Sequence, residues 1–509
     1  MKNRRLALQA LTLAACLVFG LFLWQGKSGF NIGDEGFLWY GAERVMQGEV
    51  PIRDFMAYDP GRYYWSAGLM ELWRSNGIMA LRASVAIFQA MGLFVGLFLI
   101  GRCEKNRNFL YLVISAITLI VWMYPRHKLF DISISIFLIG VLTFLVEKPV
   151  VRRYFLSGLC LGLVAVFGRN HGIYGITGSV GVMVWLAINR TEGPGFIKGA
   201  CIWGVGIVVG FMPIFLMALL LPGFASAFVE SIRFLFEFKA TNLPLPIPWP
   251  WLVNWTSVSL ADSLRNALIG VFFIGIPVFG VLSVGWLFSQ RLRRHPVEPA
   301  FVAASFLALP YAHYAYSRAD IGHLAQGIFP FLIGCLLLFA GKSSKTKWSF
   351  AIALCVVSFY VMSVFHPGWQ CRHTAECEKV EISGTNLLVD PDTASNIEFV
   401  RGLVTAYAPN GGNFIVTPFW PSLYAIFDRR SPTWEIYALL PRSEAFQQAE
   451  IERIKKARPG FILVIDTPLD GRDELRFKNT HPLIYHYIVA NFKRLPDMPD
   501  ADYQVFTEK

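Results

Sequence analysis

The sequence predicts a polytopic α-helical membrane protein with about eleven transmembrane helices, followed by a C-terminal α/β domain outside the membrane. Three observations support this fold class: long apolar runs, positive charge concentrated in alternate connections, and a change of character after residue 365. Hydrophobic residues make up 54% of the 509 residues and charged residues only 16%, compared with about 25% in soluble proteins. This composition excludes a disordered, collagen-like or disulfide-scaffold protein.

Apolar runs of about 17–25 residues are long enough to cross a hydrocarbon layer about 30 Å thick. The first run is similar to a secretory signal peptide, but no small-residue cleavage site follows it. We therefore interpret it as a membrane anchor. The predicted spans are residues 6–24, 78–101, 109–124, 132–146, 154–168, 172–188, 199–221, 264–288, 300–316, 323–341 and 349–365.

The charge of the connections predicts the orientation of the chain. With the N-terminus in the cytoplasm, the inner connections carry a large excess of Lys and Arg, whereas the outer ones are nearly balanced. Positive charge collects on the cytoplasmic side of membrane proteins. The formal net charge of +11 is therefore an orientation signal, and no nucleic-acid partner is expected. We expect an integral protein of a bacterial cytoplasmic (inner) membrane, with its C-terminal domain outside.

Residues 366–509 differ from the predicted membrane domain, residues 1–365. They carry a net negative charge, lack a long apolar run, and alternate helical with strand patterns. We expect them to form a small extracytoplasmic α/β domain. Its predicted helices lie near 394–408, 443–457 and 480–491, and its strands near 413–417, 461–465 and 503–507.

Two cysteines directly follow the last predicted span. Cys371 and Cys377 lie on the predicted outer side, where disulfides persist, so they are candidates for a local bridge. A metal site that adds His373 is a weaker alternative, because no second ligand pair has suitable spacing.

The first predicted outer loop, residues 27–77, begins with two adjacent carboxylates. Apolar surroundings can tune either Asp34 or Glu35 as a general base. Alternatively, both residues cap a helix that begins at Gly36 and interact with its positive end. An amphipathic stretch at 42–46 follows, and its pattern is suited to lying in the membrane interface.

Three further outer turns carry cations, although positive charge normally collects on the cytoplasmic side. Each turn alone is explained as a helix terminus whose cation binds end carbonyls or extends toward headgroups. Together they predict a site for an anionic phosphate, which the guanidinium group of Arg binds well. The candidate substrate-binding residues of these turns are Arg126, Lys128, Arg169, His171, Arg318, Asp320 and His323.

A second long outer loop spans residues 222–262. It contains an amphipathic stretch at 228–238 and a segment rich in Pro and Trp at 243–251. These features predict either a lid over a lipid-chain groove or an interfacial helix with an aromatic belt.

Residues 30–65 and 124–140 resemble the GT-C superfamily of membrane glycosyltransferases, in particular protein O-mannosyltransferases and lipid A aminoarabinose transferases. The shared features are an Asp-Glu pair shortly after the first span, an amphipathic helix, and a return rich in Pro and Tyr. The resemblance implies that Asp34 is the general base, with Glu35 as the second member of the pair. It also implies that Asp131 is a further acidic residue of the catalytic site.

One motif departs from the family pattern. Relatives carry a Lys-Pro-Pro-like run before an aromatic pair, whereas this chain has Asp-Pro-Gly-Arg before Tyr63 and Tyr64. Arg62 is the candidate to replace the missing lysine, and the two tyrosines are candidates for substrate binding. Some relatives need a divalent metal and others do not, so the resemblance implies no particular cofactor.

The resemblance implies transfer of a sugar from a polyprenyl-phosphate carrier to a lipid, glycan or protein acceptor on the outer face. The protein must then deprotonate the acceptor and neutralise the departing phosphate, which fits base-assisted direct displacement. The alternatives are a transporter or flippase of lipid-linked intermediates, and a polymerase or ligase of surface polysaccharide. Transporters tend to show inverted repeats and ionisable residues near the midplane. Here no repeat is found, and such residues lie at the outer ends of spans.

Overall fold

The computed structural model describes residues 2–104, 108–189, 193–238, 242–256, 259–373, 377–496, 498 and 500–509. The helices are α1 (Lys2–Gln25), α2 (Asp34–Met46), α3 (Gly61–Leu72), α4 (Ile78–Cys103), α5 (Phe109–Val121), α6 (Leu129–Glu147), α7 (Val151–Phe167), α8 (Arg169–Ala187), α9 (Phe196–Gly210), α10 (Met212–Leu220), α11 (Phe224–Phe238), α12 (Leu260–Leu292), α13 (Pro299–Ser317), α14 (Ile321–Gly327), α15 (Phe329–Ala340), α16 (Ser344–Met362), α17 (Pro367–His373), α18 (Pro391–Tyr407), α19 (Ser422–Ile426), α20 (Glu444–Ala457), α21 (Phe477–Thr480) and α22 (Pro482–Asn491). The strands are β1 (Glu378–Ile382), β2 (Thr385–Val389), β3 (Phe414–Thr417), β4 (Phe461–Ile465), β5 (Phe492–Arg494) and β6 (Tyr503–Glu508).

The contacts within the chain define two compact units. The first, called the helical unit, comprises Met1–Gly26 and Val85–Gln370, and the second, called the mixed unit, comprises Lys27–Ser84 and Cys371–Lys509. Residues 27–84 thus pack with the C-terminal region, although most of them were assigned to the predicted membrane domain as a loop. The domain boundary at residue 365 stays a prediction.

Each of the eleven predicted spans coincides with one helix or with one bent pair of helices. Within the described residues, five helices are long and apolar enough to cross a membrane, and up to seven spans result if each bent pair of helices is one span. The five are Asn3–Gln25, Ile78–Cys103, Arg126–Glu147, Leu260–Leu292 and Ser344–Phe365. The chain is therefore a polytopic α-helical membrane protein, and the count of eleven spans stays a prediction.

Two of the predicted spans are bent pairs of helices. The pair α9 and α10 is bent by 46°, and the pair α14 and α15 by 50°. In both pairs the second helix has Pro in its first turn, where the missing N–H costs no hydrogen bond of that helix. The break before α15 makes α14 a short, separate helix whose N-terminus is capped by Asp320.

Helix α13 is the centre of the helical unit. It packs against α6, α8, α12, α14 and α15, and most of its residues are buried although it contains Pro310. A helix that is apolar on all sides is buried by its neighbours. As a result, Tyr311 and Tyr314, near the end of α13, face the first turns of the surrounding helices.

The mixed unit contains a four-stranded sheet with the order β3-β4-β6-β5. Strands β3 and β4 are parallel, and β6 is antiparallel to both β4 and β5. All residues of β4 are buried, as expected for a strand covered on both faces. The core that includes Ile462 and Val464 also takes Ile454 from α20 and Ile488 from α22.

The elements predicted in the C-terminal region correspond to α18, α20, α22, β3, β4 and β6. The hairpin of β1 and β2 was not predicted. Its turn residues Ser383 and Gly384 both have positive φ, which suits a two-residue hairpin. A disulfide joins Cys371 and Cys377, and the side chain of His373 lies outside the described part of the chain.

Helix α2 is enclosed in the mixed unit. Every residue from Glu35 to Arg44 is buried, including Glu43 and Arg44, which are 2% and 3% exposed. The expectation that residues 42–46 lie in the membrane interface is therefore wrong. The amphipathic pattern of this stretch reflects buried charges instead, because Glu43 and Arg44 approach each other within 3.9 Å.

Candidate active site

Helix α2 begins at Asp34, two residues earlier than predicted, and its N-cap residue is Gly33. The Asn31 side-chain oxygen accepts a hydrogen bond from the Asp34 N–H at 2.6 Å, which satisfies one of the backbone donors exposed at a helix start. Asp34 and Glu35 therefore lie in the first turn of α2. They do not precede the helix as side-chain caps, which was the alternative prediction. Their side chains have different environments.

Glu35 is held in a buried ion pair. Its two carboxylate oxygens accept hydrogen bonds from Nε and Nη2 of Arg82, both at 2.7 Å. Arg82 also donates to the carbonyl oxygen of Gly29 at 2.7 Å. Both side chains are nearly inaccessible, and a buried charge of this kind needs such a partner. A catalytic role for Glu35 does not fit this arrangement, and we assign it a structural one.

Asp34 is half-buried and has a hydroxyl partner from the C-terminal region. Tyr437 Oη donates a hydrogen bond to Asp34 Oδ1 at 3.0 Å. The carboxylate thus combines partial access with a fixed orientation, which is what a general base needs. Of the two adjacent carboxylates, Asp34 is the one whose environment fits the predicted base.

The three residues predicted near the first-loop aromatic pair differ in exposure. Tyr63 is fully buried and its hydroxyl accepts a hydrogen bond from the Tyr58 N–H at 3.0 Å. Arg62 is 3% exposed, with its guanidinium 4.9 Å from the centre of the Tyr58 ring. Tyr64 is 42% exposed. Direct substrate contact by Tyr63 does not fit its position, whereas Tyr64 is accessible.

In the helical unit, the predicted residues Asp131 and His171 form a buried hydrogen-bonded chain with Tyr311, which was not predicted. His171 Nε2 lies 2.8 Å from Asp131 Oδ1, and His171 Nδ1 lies 2.8 Å from Tyr311 Oη. Asp131 is in the first turn of α6 and His171 in the first turn of α8. The two helix N-termini thus meet near one carboxylate, which their partial positive charge favours.

His171 has no exposed surface, and both ring nitrogens are engaged. The predicted direct contact with substrate therefore does not fit this residue. Asp131, at 3% exposure, is nearly as enclosed. The geometry instead supports a positioning role, in which His171 fixes the carboxylate of Asp131 relative to Tyr311.

The turn before α14 forms a second cluster. Asp320 accepts hydrogen bonds from Arg318 Nε at 2.9 Å and from the backbone N–H of His323 at 2.8 Å. Its Oδ1 also lies 2.9 Å from His323 Nδ1. The Tyr314 ring joins this cluster to the first one, since its centroid is 5.5 Å from that of His171 and 5.8 Å from that of His323.

The remaining predicted cations also lie in the helical unit. Arg126 Nη2 donates to the carbonyl oxygen of Gln25 at 3.1 Å, and Lys128 is half-buried in the same short turn. Arg169 Nη1 donates to Ser231 Oγ of α11 at 2.9 Å. The second long loop therefore contacts one of the cations that the sequence singled out.

The long loop also contacts the turn before α14. Arg318 Nη1 donates to the carbonyl oxygen of Leu243 at 3.1 Å, and the side chain of Asn242 donates to Ser317 Oγ at 3.0 Å. These contacts place the Pro-rich segment beside the predicted phosphate-binding residues. They agree with the wall or lid interpretation of the loop.

Four residues of these clusters were missed by sequence reasoning. For Arg82 a signal existed, because a charge within a predicted span is costly and marks a special site. Tyr311 and Tyr314 lie three residues apart on one helix face, but an apolar helix often carries such tyrosines. Nothing in the sequence near Tyr437 linked it to Asp34.

A metal ion bound by protein side chains alone needs several His, Cys, Asp or Glu residues close together. Within the described residues, no three His, Cys, Asp or Glu side chains are grouped so that they could hold one. Of the predicted carboxylates, Glu35 is bound by Arg82 and Asp131 lies against His171.

The fold of this chain is similar to that of a solved structure. ArnT from Cupriavidus metallidurans in the apo state matches with a TM-score of 0.56 and 11% identity, over 97% of this chain and 96% of that chain. ArnT is a lipid A aminoarabinose transferase. The predicted resemblance is confirmed at the level of the fold.

Two archaeal structures are less similar. The Archaeoglobus fulgidus oligosaccharyltransferase in the apo form has a TM-score of 0.49 and 10% identity, over 96% of this chain and 73% of that chain. The oligosaccharyltransferase AglB from the same organism, in complex with an inhibitory peptide and a dolichol-phosphate, has a TM-score of 0.45 and 12% identity, over 99% and 74%. No protein-family model and no curated protein sequence matches the chain.

Proposed function

We propose that the protein is a glycosyltransferase that moves a sugar from a polyprenyl-phosphate carrier to an acceptor on the outer face of the membrane. The GT-C fold supports this class of reaction. The observation that carries the proposal is the difference between the two adjacent carboxylates. Glu35 is closed off by Arg82, whereas Asp34 is half-buried and oriented by Tyr437.

In the proposed reaction, Asp34 removes the proton from the acceptor hydroxyl or amine. The acceptor atom then forms a bond to the anomeric carbon of the sugar. The bond from that carbon to the phosphate oxygen breaks, and its electron pair leaves with the polyprenyl phosphate. A single base and a single displacement invert the anomeric centre.

The departing phosphate is the second requirement of this chemistry. We propose that the cations of the predicted outer turns neutralise it, since charge stabilisation of a leaving group is a major contribution to catalysis. Arg169 and Arg318 are anchored by Ser231 and Asp320, so their positions are partly preorganised. The candidates for this role are Arg126, Lys128, Arg169, Arg318 and His323.

The membrane setting completes the proposal. The carrier lipid reaches the site from the bilayer, and the acceptor is a lipid, glycan or protein. The proposed location is the bacterial inner membrane, with the N-terminus in the cytoplasm and the C-terminal domain outside. The charge asymmetry of the connections supports this orientation.

The test compares carrier-linked sugars and surface glycans by mass spectrometry in cells that carry the parent chain, Asp34→Asn or Asp392→Asn. Asp34→Asn keeps the size of the side chain and removes its basicity. We expect the carrier-linked sugar to accumulate while one surface residue disappears. Asp392→Asn, a matched change at an exposed position of α18, should behave like the parent. Normal glycans with Asp34→Asn would refute the proposed base.

A further inference from the structure

The hydroxyl that contacts Asp34 comes from a residue 403 positions later in the chain. We propose that Tyr437 is a positioning residue for Asp34, so that the C-terminal region completes the active site. This inference rests on the proposed function, because it gives Tyr437 a role only through the proposed base. It gives the C-terminal region a role in the active site, which the sequence alone did not indicate.

Two contacts hold Tyr437 in place, one through the backbone of the next residue and one through its aromatic ring. The N–H of the next residue, Ala438, donates to the carbonyl oxygen of Pro418 at 2.7 Å, directly after β3. The Tyr437 ring lies 5.4 Å from the ring of Phe37, centre to centre. Phe37 is one turn after Asp34 in α2, so the same helix carries the base and the ring that supports its partner.

The start of α2 is packed tightly against the residues that follow β3. A Cβ atom added to Gly33 would lie 3.1 Å from the carbonyl oxygen of Phe419 and 3.4 Å from the Tyr437 ring. One added to Gly36 would lie 2.3 Å from Cβ of Ser422, closer than real side chains come. Glycine at these two positions therefore allows the helix and the end of β3 to meet.

This contact lies at the carboxyl end of a parallel strand pair. In α/β sheets, ligands bind in the crevice outside the carboxyl ends of the strands. Strand β3 is parallel to β4, and Pro418 to Ser422 follow its carboxyl end. The mixed unit thus holds Asp34 at an edge where catalytic groups are commonly found.

The hydrogen bond has two consequences for a base. It restricts the rotation of the carboxylate, which favours a productive orientation toward the acceptor. It also stabilises the ionised form, because a hydrogen bond to a charged group is stronger than one to a neutral group. Without the hydroxyl, the carboxylate takes up a proton at a higher pH and the base is lost earlier on acidification.

The experiment measures donor consumption as a function of pH by the purified full-length protein in vesicles. The probe is the cell-envelope extract of cells that lack the chain, which contains both the unused donor and the unmodified acceptor, and loss of the carrier-linked sugar is followed by mass spectrometry. For Tyr437→Phe we expect the acidic limb of the profile to move up by about one pH unit. The rate should fall about tenfold at the acidic end and less at alkaline pH.

A matched control and a second variant separate this role from a structural one. Tyr485→Phe removes a hydroxyl of the same unit that donates to Gln504, and its profile should equal that of the parent. Replacement of Tyr437 by 3-fluorotyrosine, a stronger donor of nearly the same shape, should move the acidic limb to lower pH. The shift measured with 3-fluorotyrosine does not depend on the stability of the Tyr437→Phe variant.

The outcomes distinguish the two proposals. If Asp34→Asn consumes the donor normally, the proposed function fails. If Asp34→Asn is inactive while Tyr437→Phe and the fluorinated protein both keep the parent pH profile, only the positioning role of Tyr437 is overturned. Opposite shifts of the acidic limb in the two Tyr437 variants would support it.

Discussion

Arg82 binds both carboxylate oxygens of Glu35 at 2.7 Å in a part of the mixed unit that water scarcely reaches. This pair decides which of two adjacent acidic residues is available for chemistry. It also connects the first turn of α2 with the first turns of α4, because Arg82 lies near the start of that helix. The pair therefore stabilises the element that carries Asp34.

Removing one partner of this pair should be more damaging than removing both. Arg82→Met alone leaves the Glu35 carboxylate buried without its counter-ion, and we expect the free energy of unfolding to fall by about 3–5 kcal/mol. In the double variant Glu35→Leu/Arg82→Met no charge is left buried. Thermal unfolding of the purified variants measures the difference. Equal losses in the single and double variants would contradict the structural role.

The Asp131–His171 contact should appear as coupling between two substitutions. Asp131→Asn and His171→Gln each weaken the same contact, the first by removing the charge of the carboxylate and the second by removing the imidazole ring. The second change should therefore add little once the first is made. We expect a coupling of about 1–3 kcal/mol in a double-mutant cycle of transfer rates. As a control, Asp131→Asn combined with the exposed Asp392→Asn of α18 should give the effect of Asp131→Asn alone. Multiplicative effects of the Asp131 and His171 changes would refute the positioning role of His171.

Glu43 should make the stability of the mixed unit depend on pH. Burial raises the pKa of Glu43 to about 7 from 4.5, and the nearby Asp428 adds to the rise while Arg44 opposes it. Between pH 4.5 and about pH 7, Glu43 is protonated in the folded chain and ionised in the unfolded chain. The free energy of unfolding therefore falls as pH rises through this window.

Glu43→Gln removes this dependence, because the amide cannot ionise. We expect the variant to exceed the parent in stability by about 3 kcal/mol at pH 8 and to lose most of that advantage near pH 5. Thermal melting at several pH values checks this, with the exposed Glu452→Gln as the control. A melting curve for Glu43→Gln with the pH dependence of the parent would show that Glu43 does not titrate in this window.

The predicted orientation is tested by a reporter enzyme that folds only in oxidising conditions. A bacterial alkaline phosphatase fused after Lys509 should be active, because the C-terminal domain is predicted to lie outside. The same reporter fused after Ser343, in a predicted inner connection, should be inactive. Activity of the Ser343 fusion together with an inactive Lys509 fusion would invert the proposed topology.

Much of the secondary structure followed from local patterns. The apolar runs coincide with helices, and the short apolar run at 461–465 coincides with strand β4, since the length and composition of a run are properties of neighbouring residues. Burial of α2 was not predicted. The pattern of α2 has polar residues at 43 and 44, which a local interpretation assigns to a water or headgroup boundary.

The sequence by itself determined that the chain is a membrane protein with a C-terminal sheet, and it identified the Asp34 and Glu35 pair. Only the tertiary structure decided between those two carboxylates. Their partners are Arg82, 47 residues away, and Tyr437, 403 residues away. Periodicity and charge patterns act over a few turns, whereas the environment that tunes a carboxylate is assembled by folding from distant segments.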